Sequence, residues 1–368
     1  MSLHKTVIFF SNPFGFGPTG KTVALIEELL KHWNGCIVYA ASSMCLEPLS
    51  NDIKSKIIIE SINERDPEQI REVLLKYNNP LVICTLNRAA IKTAKSLSLT
   101  AIFVDSLAWL WKEIPEEYLL ADTYYCFDIF GVSSKLPANK NIRTIPPIFG
   151  ELPEVRANKK NNVLLHIGGF KNPFQDSMSF SYLNLLTKGL NESTTNKEII
   201  VTGGSEAIEY LAKNVHRDNI LFRTLDRGSF LDELSSTNHF VTTSGLTATL
   251  ESFALYTPTS FIPPTNLSQW HILKLLVKQG VINSYIEWED LIASTTDLSL
   301  LDEKTAMPIF SQLAKSVSES EDVLKHFLSQ FDSLLNNVPS IANQNTFIEK
   351  LGTNGSEIVI SELLPYLQ

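Results

Sequence analysis

Apolar residues in the first part of the chain come in short blocks separated by longer stretches of helical period. Thr6 to Phe10, Cys36 to Ala40, Leu81 to Thr85 and Ala101 to Asp105 are near-continuous apolar runs, the pattern of strands buried on both faces. Between them, Lys21 to His32, Pro67 to Tyr77 and Arg88 to Ser96 carry their apolar residues at helical spacing. Strand and helix in alternation predict a parallel sheet with helices on both sides. A polar, Pro-bearing passage from Ile145 through Pro153 to Asn161 breaks the pattern and reads as a linker near residues 147–160. The alternation then resumes, with strands predicted at Val163 to Ile167, Glu198 to Val201, Asn219 to Phe222, Phe240 to Thr243 and Thr259 to Ile262. After Gly280 the chain turns helical, most clearly at Ile309 to Val317 and Glu321 to Leu335. The expected fold is α/β, with a Rossmann-like domain at 1–150, a second at 151–340 and a helical tail at 341–368.

Composition agrees with two domains. A chain of 368 residues with 44% hydrophobic content exceeds one ordinary core and has ample apolar surface to bury. A net charge of −9 argues against a broad nucleic-acid-binding surface. Cys36, Cys45, Cys84 and Cys126 lie far apart, without Cys-x-x-Cys or zinc-finger spacing, and read as reduced thiols. The apolar run that follows His4 and Lys5 is too short for a signal peptide, and no stretch approaches the roughly 20 apolar residues that span a bilayer. The expectation is a cytoplasmic protein without a transmembrane segment. No cluster of carboxylates suggests a metal site.

Two turns concentrate the polar chemistry. The first, Gly15-Phe16-Gly17-Pro18-Thr19-Gly20-Lys21-Thr22, follows the first strand and satisfies both G-x-x-x-x-G-K-[ST] and G-x-G-x-x-G. In a phosphate-loop reading its N–H groups cradle phosphates, Lys21 reaches the terminal phosphates, Thr22 binds Mg²⁺ and Asp105 holds the metal. The second turn opens Ser244-Gly245-Leu246-Thr247, between a predicted strand and a predicted helix. The start of a helix offers unpaired N–H groups to a phosphate or diphosphate. Glu251, further along the same helix, is a carboxylate suited to both hydroxyls of a ribose.

With Pro258, Pro263-Pro264, Gln269 and Gly280, this second turn resembles the donor-binding signature of two-domain nucleotide-sugar glycosyltransferases. The likeness is to the UDP-glycosyltransferases and to the bacterial enzyme that adds N-acetylglucosamine to the peptidoglycan lipid precursor. It is clear over about forty residues and looser, by arrangement, over most of the chain. The resemblance implies a GT-B fold, two Rossmann-like domains facing a central cleft. It implies donor contacts from Gly168, Gly169, Ser244, Gly245, Thr247, Glu251 and Gln269, with the nucleobase near Arg223 to Phe230. Gly15, Gly17, Gly20 and Lys21 become a phosphate or acceptor loop, and the tail crosses back to the first domain.

The activity so implied is metal-independent transfer of a sugar, with the nucleoside-diphosphate sugar (UDP-linked) as substrate and no cofactor, to a small-molecule or lipid-linked acceptor. Inverting transfer needs a base. Relatives often carry a His at the end of the first glycine loop, where this chain has Pro18-Thr19-Gly20-Lys21. Asp105, at the carboxyl end of an apolar strand, is the first candidate for that base, with a helix N-cap as its structural alternative. Asp128 is the second. Trp109 and Trp111 are candidates for stacking on a ligand, for lying on a membrane surface, or for core packing. A phosphate-loop ATPase or kinase and a non-catalytic sugar-nucleotide-binding protein stand as the alternatives.

Overall fold

The computed structural model describes residues 5–138, 141–170, 180–292 and 297–367; His4 and Gln368 lie outside the described residues. The chain forms two compact units, Met1–Leu152 with Glu349–Gln368, and Pro153–Ile348.

The first unit is a seven-stranded parallel sheet in the order β3-β2-β1-β4-β5-β6-β7. Its strands are β1 (Thr6–Ser11), β2 (Cys36–Ala41), β3 (Ile58–Ser61), β4 (Leu81–Thr85), β5 (Ala101–Asp105), β6 (Thr123–Phe127) and β7 (Ile142–Ile145). Val7 pairs with Ile37 on one side and Leu81 on the other, so β1 and β4 sit at the centre. Val7 to Phe10 and Leu81 to Cys84 are fully buried, as strands covered on both faces require. Each such side chain contributes roughly 1.5–3 kcal/mol by leaving water. The sequence pattern foretold β1, β2, β4 and β5 but not β3, β6 and β7. Strands β3 and β7 are the sheet's edges, and each contains exposed residues; β6 is rich in tyrosine.

Of the expected tail, Glu349–Gln368 belongs to this unit, and the residues up to Ile348 belong to the second. The Gly355–Leu367 helix packs on the Gly17–His32 helix. Ser356 donates to the Phe149 carbonyl at 2.5 Å, and the Glu362 carboxylate accepts from Tyr125 and Arg143. A Cβ at Gly355 would stand 2.1 Å from the Pro146 carbonyl oxygen, so only glycine permits this approach.

The second unit is a five-stranded parallel sheet in the order β10-β9-β8-β11-β12. Its strands are β8 (Lys160–His166), β9 (Glu198–Thr202), β10 (Ile220–Arg223), β11 (Thr237–Thr242) and β12 (Thr259–Phe261). Helices Phe180–Glu192, Ser205–Asn214, Arg227–Ser236, Leu246–Ala254 and Leu267–Lys278 alternate with them, followed by Glu303–Glu319 and Glu321–Asn336. Phe327, Phe331 and Leu335 of the Glu321–Asn336 helix are buried with Leu183 and Leu186 in one core.

Both sheets reverse their strand order once. In the first unit the reversal lies between β1 and β4, and in the second between β8 and β11. At such a point the loops leaving neighbouring strands diverge to opposite faces and open a crevice at the carboxyl ends, where ligands of this architecture collect. The Gly15 turn leaves β1, and the Ser244-Gly245 turn leaves β11.

Candidate functional site

In the second unit, β8 and β11 run side by side to their carboxyl ends, where Thr242 pairs with His166. The Thr242 hydroxyl donates to the His166 carbonyl at 2.9 Å. The chain leaves β8 through Gly168 and Gly169, with Gly168 in the left-handed region at φ +71°. Beside it, Gly204 N–H donates to the Gly168 carbonyl at 2.9 Å. A Cβ on Gly204 would fall 2.5 Å from the Gly169 carbonyl oxygen. The Gly203-Gly204 pair is thus spent on letting two loops touch, those that leave β8 and β9.

The Leu246–Ala254 helix follows β11 directly. Its N-cap is Gly245, in extended conformation, which brings no side chain to the first-turn N–H groups. Ser244 donates its hydroxyl to the Gln269 carbonyl at 2.7 Å, and a Cβ on Gly245 would lie 4.0 Å from Gln269 Nε2. The structure therefore brings Ser244, Gly245 and Gln269 together, with half-buried Thr247 in the same helical turn.

Gln269 is itself held. Its Oε1 accepts from the Thr265 N–H at 2.8 Å and the Thr265 hydroxyl at 3.0 Å. Asn266 caps its helix by accepting from Gln269 N–H at 2.9 Å. The Glu303 carboxylate takes the N–H groups of Leu267 (3.0 Å) and Ser268 (3.1 Å). Burial pushes the Glu303 carboxyl up to about 7, against the pull of those two bonds. The Pro263 and Pro264 carbonyls accept from Tyr182 Oη at 2.6 Å and Trp288 Nε1 at 2.8 Å. This lattice of bonds fixes the loop after β12 and, with it, the place of Gln269.

Glu251 lies six residues past Gly245 in sequence, which is about 9 Å along a helix axis. It is only 4% exposed and accepts from Arg227 Nη2 at 2.8 Å; Arg227 is 7% exposed. Arg227 is the first residue of the Arg227–Ser236 helix, whose Asp226 cap accepts from Ser229 N–H at 2.8 Å. One turn on, the Phe230 ring sits 4.8 Å from the His166 ring and 6.0 Å from Phe240. Burial depresses the half-buried His166 to about 4, so it is neutral at physiological pH. Sequence reasoning marked Arg223 to Phe230 as a region and did not single out Arg227. Its pairing with Glu251 joins two helices 24 residues apart in the chain.

The first unit's turn is built differently. The helix predicted to begin at Lys21 begins at Gly17, because Pro18 has the backbone angle a first turn needs. Gly20 and Lys21 are therefore inside the helix. Gly20 N–H donates to the Phe16 carbonyl at 2.8 Å, and Lys21 Nζ folds back onto the Gly17 carbonyl at 3.1 Å. The Thr22 hydroxyl bonds the Pro18 carbonyl at 3.1 Å and Thr85 Oγ1 at 2.8 Å, fully buried. Gly15 alone takes a left-handed turn there, at φ +58°. A phosphate loop needs the Lys21 ammonium and the Thr22 hydroxyl turned toward a ligand, and here they bond the helix's own carbonyls and the sheet.

Asp105 ends β5 fully buried. Its carboxylate accepts from Leu107 N–H at 2.6 Å, Trp111 Nε1 at 2.8 Å and Tyr124 Oη at 2.6 Å. Burial raises its carboxyl above the usual range, while these donors and the Lys21 ammonium draw it back. Trp109 is buried, edge-on to Phe130 at 5.1 Å, whereas Trp111 is half-buried. Asp128 is exposed and accepts from Ser133 Oγ at 2.6 Å. Cys36, Cys45, Cys84 and Cys126 are free thiols. No helix among the described residues is long and apolar enough to cross a membrane.

No protein-family model matches this chain, and no curated protein does. Solved structures do share its architecture from end to end. Os79 from O. sativa, in complex with UDP, is 12% identical with a TM-score of 0.57, covering 98% of this chain and 100% of its own. S. aureus MnaA, solved with UDP, is 12% identical with a TM-score of 0.54 over 100% of this chain and 98% of its own. Arabidopsis thaliana UGT89C1 complexed with UDP is 10% identical with a TM-score of 0.52 over 98% and 100%. The fold is GT-B. At these identities the likeness is one of fold, and the chemistry rests on the residues just described.

Proposed function

We propose that this protein is a glycosyltransferase that moves a sugar from a nucleoside-diphosphate sugar, UDP-linked, to a small-molecule or lipid-linked acceptor. The observation that carries the reading is what gathers at the carboxyl ends of β8 and β11, where the sheet reverses its strand order. The Gly168-Gly169 loop leaves β8, a helix that Gly245 starts without a side-chain cap follows β11, and Glu251 stands further along that helix. A diphosphate at the helix start meets backbone N–H groups and the positive end of the helix dipole. Glu251 then accepts the ribose hydroxyls, and the Gln269 amide faces the sugar. That the three solved structures named above were determined with UDP supports the choice of nucleotide.

In this reading the departing diphosphate's charge is met by the helix start and by the Gly168-Gly169 backbone, with no cofactor required. On the acceptor side, Asp105 acts by position. A carboxylate that already accepts three hydrogen bonds holds the Ser106 to Trp111 loop and Tyr124 in place. Half-buried Trp111, oriented by that carboxylate, is the aromatic surface offered to an acceptor. The phosphate-loop alternative loses its support in the internal bonding of Lys21 and Thr22.

The test is thermal stabilisation of the purified protein by UDP and UDP-sugars in EDTA, against ATP and GTP with Mg²⁺. Ligand binding to the native state raises the melting temperature by mass action. Stabilisation by UDP or a UDP-sugar without metal is the expected result; stabilisation confined to a Mg²⁺-triphosphate would overturn the reading.

A further inference from the structure

The Arg227–Glu251 pair is more deeply buried than surface ion pairs of the same chain, such as Lys56–Asp52 or Lys325–Glu321. Its side chains are 7% and 5% exposed, and the Nη2 to Oε1 distance is 2.8 Å. Burying two charges has a large desolvation cost, so a buried pair is weak evidence of a stabilising device and asks for another explanation. The position of this one is informative. Arg227 opens its helix next to the Asp226 cap, and Phe230 of the same turn packs on His166 at the end of β8. Glu251 belongs to the helix that Gly245 starts. One helical turn is therefore tied to the end of β8 through a ring contact and to the Leu246–Ala254 helix through a charged hydrogen bond.

A free carboxylate in such a place would swing among rotamers or lose its charge. A guanidinium is always protonated and presents a planar array of donors, so it fixes a carboxylate in both charge and orientation. We infer that Arg227 is a positioning residue for ligand discrimination, holding the Glu251 carboxylate in the orientation that accepts ribose hydroxyls. This rests on the donor-site reading given above. It assigns Arg227 no contact with the sugar or diphosphate; its effect passes through Glu251.

The readout is therefore a ratio that loss of stability alone does not move: the affinity for UDP over that for 2′-deoxy-UDP, by isothermal titration calorimetry on the full chain. The wild type should prefer UDP about tenfold or more, as fits a hydroxyl bonded to a charged group. Glu251→Gln and Arg227→Gln should each bring the ratio to within about twofold, and combining them should lower it no further. Arg227→Lys, which keeps the charge and loses the planar fork, should fall between. Thermal unfolding reports which variants are folded. If Arg227→Gln, or Arg227→Lys where only that variant folds, keeps the wild-type ratio while Glu251→Gln loses it, the inference is wrong and the donor reading stands. If Glu251→Gln keeps the ratio, the ribose role of Glu251 fails and Arg227's role with it. Absence of UDP binding in the wild type would overturn the donor reading itself.

Discussion

The two glycine-bearing turns, Gly15 to Thr22 in the first unit and Thr243 to Glu251 in the second, occupy matching places and differ in what they do with their polar groups. Each leaves a central strand at the point where its sheet reverses order. In the first, the helix starts early, so the residues that spell a phosphate loop fall inside it: Lys21 returns to Gly17, and Thr22 ties the helix to Thr85 in the sheet. In the second, the helix starts, like the first, without a side-chain cap, and the polar groups on either side of Gly245 are tied to neighbouring elements, Ser244 to the Gln269 backbone and Glu251 to Arg227. The contrast teaches that motif spacing alone does not make a phosphate site.

The hardest blow to the second turn is removal of one member of its ion pair. Glu251→Ala leaves the Arg227 charge buried without the carboxylate, and the expected loss is about 3–5 kcal/mol of stability. Urea unfolding measures the total, and peptide-resolved hydrogen exchange should place the loss in the second unit. A loss below about 1 kcal/mol would show that the pair is relaxed and solvated. Because of this cost, Glu251→Gln is the better variant for binding experiments.

Acidification should also weaken the second unit. Burial, aided by the nearby Lys197 charge, lowers His239 to about 3, and His166 is lowered to about 4. Unfolded, both titrate near 6.5. Below that pH the unfolded chain binds more protons, so the stability these neutral rings contribute is present above about 6.5 and is lost as pH falls toward 3. For fully buried His239 the loss by pH 5 is about 2 kcal/mol. The check is urea midpoints across pH 5 to 7 for the wild type and His239→Gln. A dependence unchanged by the substitution would remove His239 from the account.

The smallest effect sharpens the contrast most. Thr22→Val deprives Thr85 of a buried hydrogen bond and should cost about 1–2 kcal/mol, with UDP affinity altered less than twofold. Calorimetric titration of this variant separates the two turns: a large drop in nucleotide affinity would return the first turn to candidacy as the phosphate site.

Much of the fold was legible where strands are buried on both faces. Leu81–Thr85 and Ala101–Asp105 read directly from their apolar runs, as did the intervening Arg88–Ser96 helix. Edge strands were not: β3, Ile58–Ser61, contains Glu60 and is half open to solvent, so no apolar run announces it. The candidate site divides in the same way. Ser244, Gly245 and Gln269 stand out because a turn and a helix start are local features. Arg227 does not, since its significance lies in a contact with another helix. The start of the first helix was misplaced by four residues because Gly17 and Pro18 read as loop, although proline suits a first helical turn.

The most direct test of the central claim is calorimetric titration of the wild-type protein with UDP in EDTA, alongside ATP with Mg²⁺. The account predicts saturable metal-free binding of UDP that Glu251→Gln weakens and Lys21→Met leaves intact. Binding of Mg²⁺-ATP alone, abolished by Lys21→Met, would contradict it.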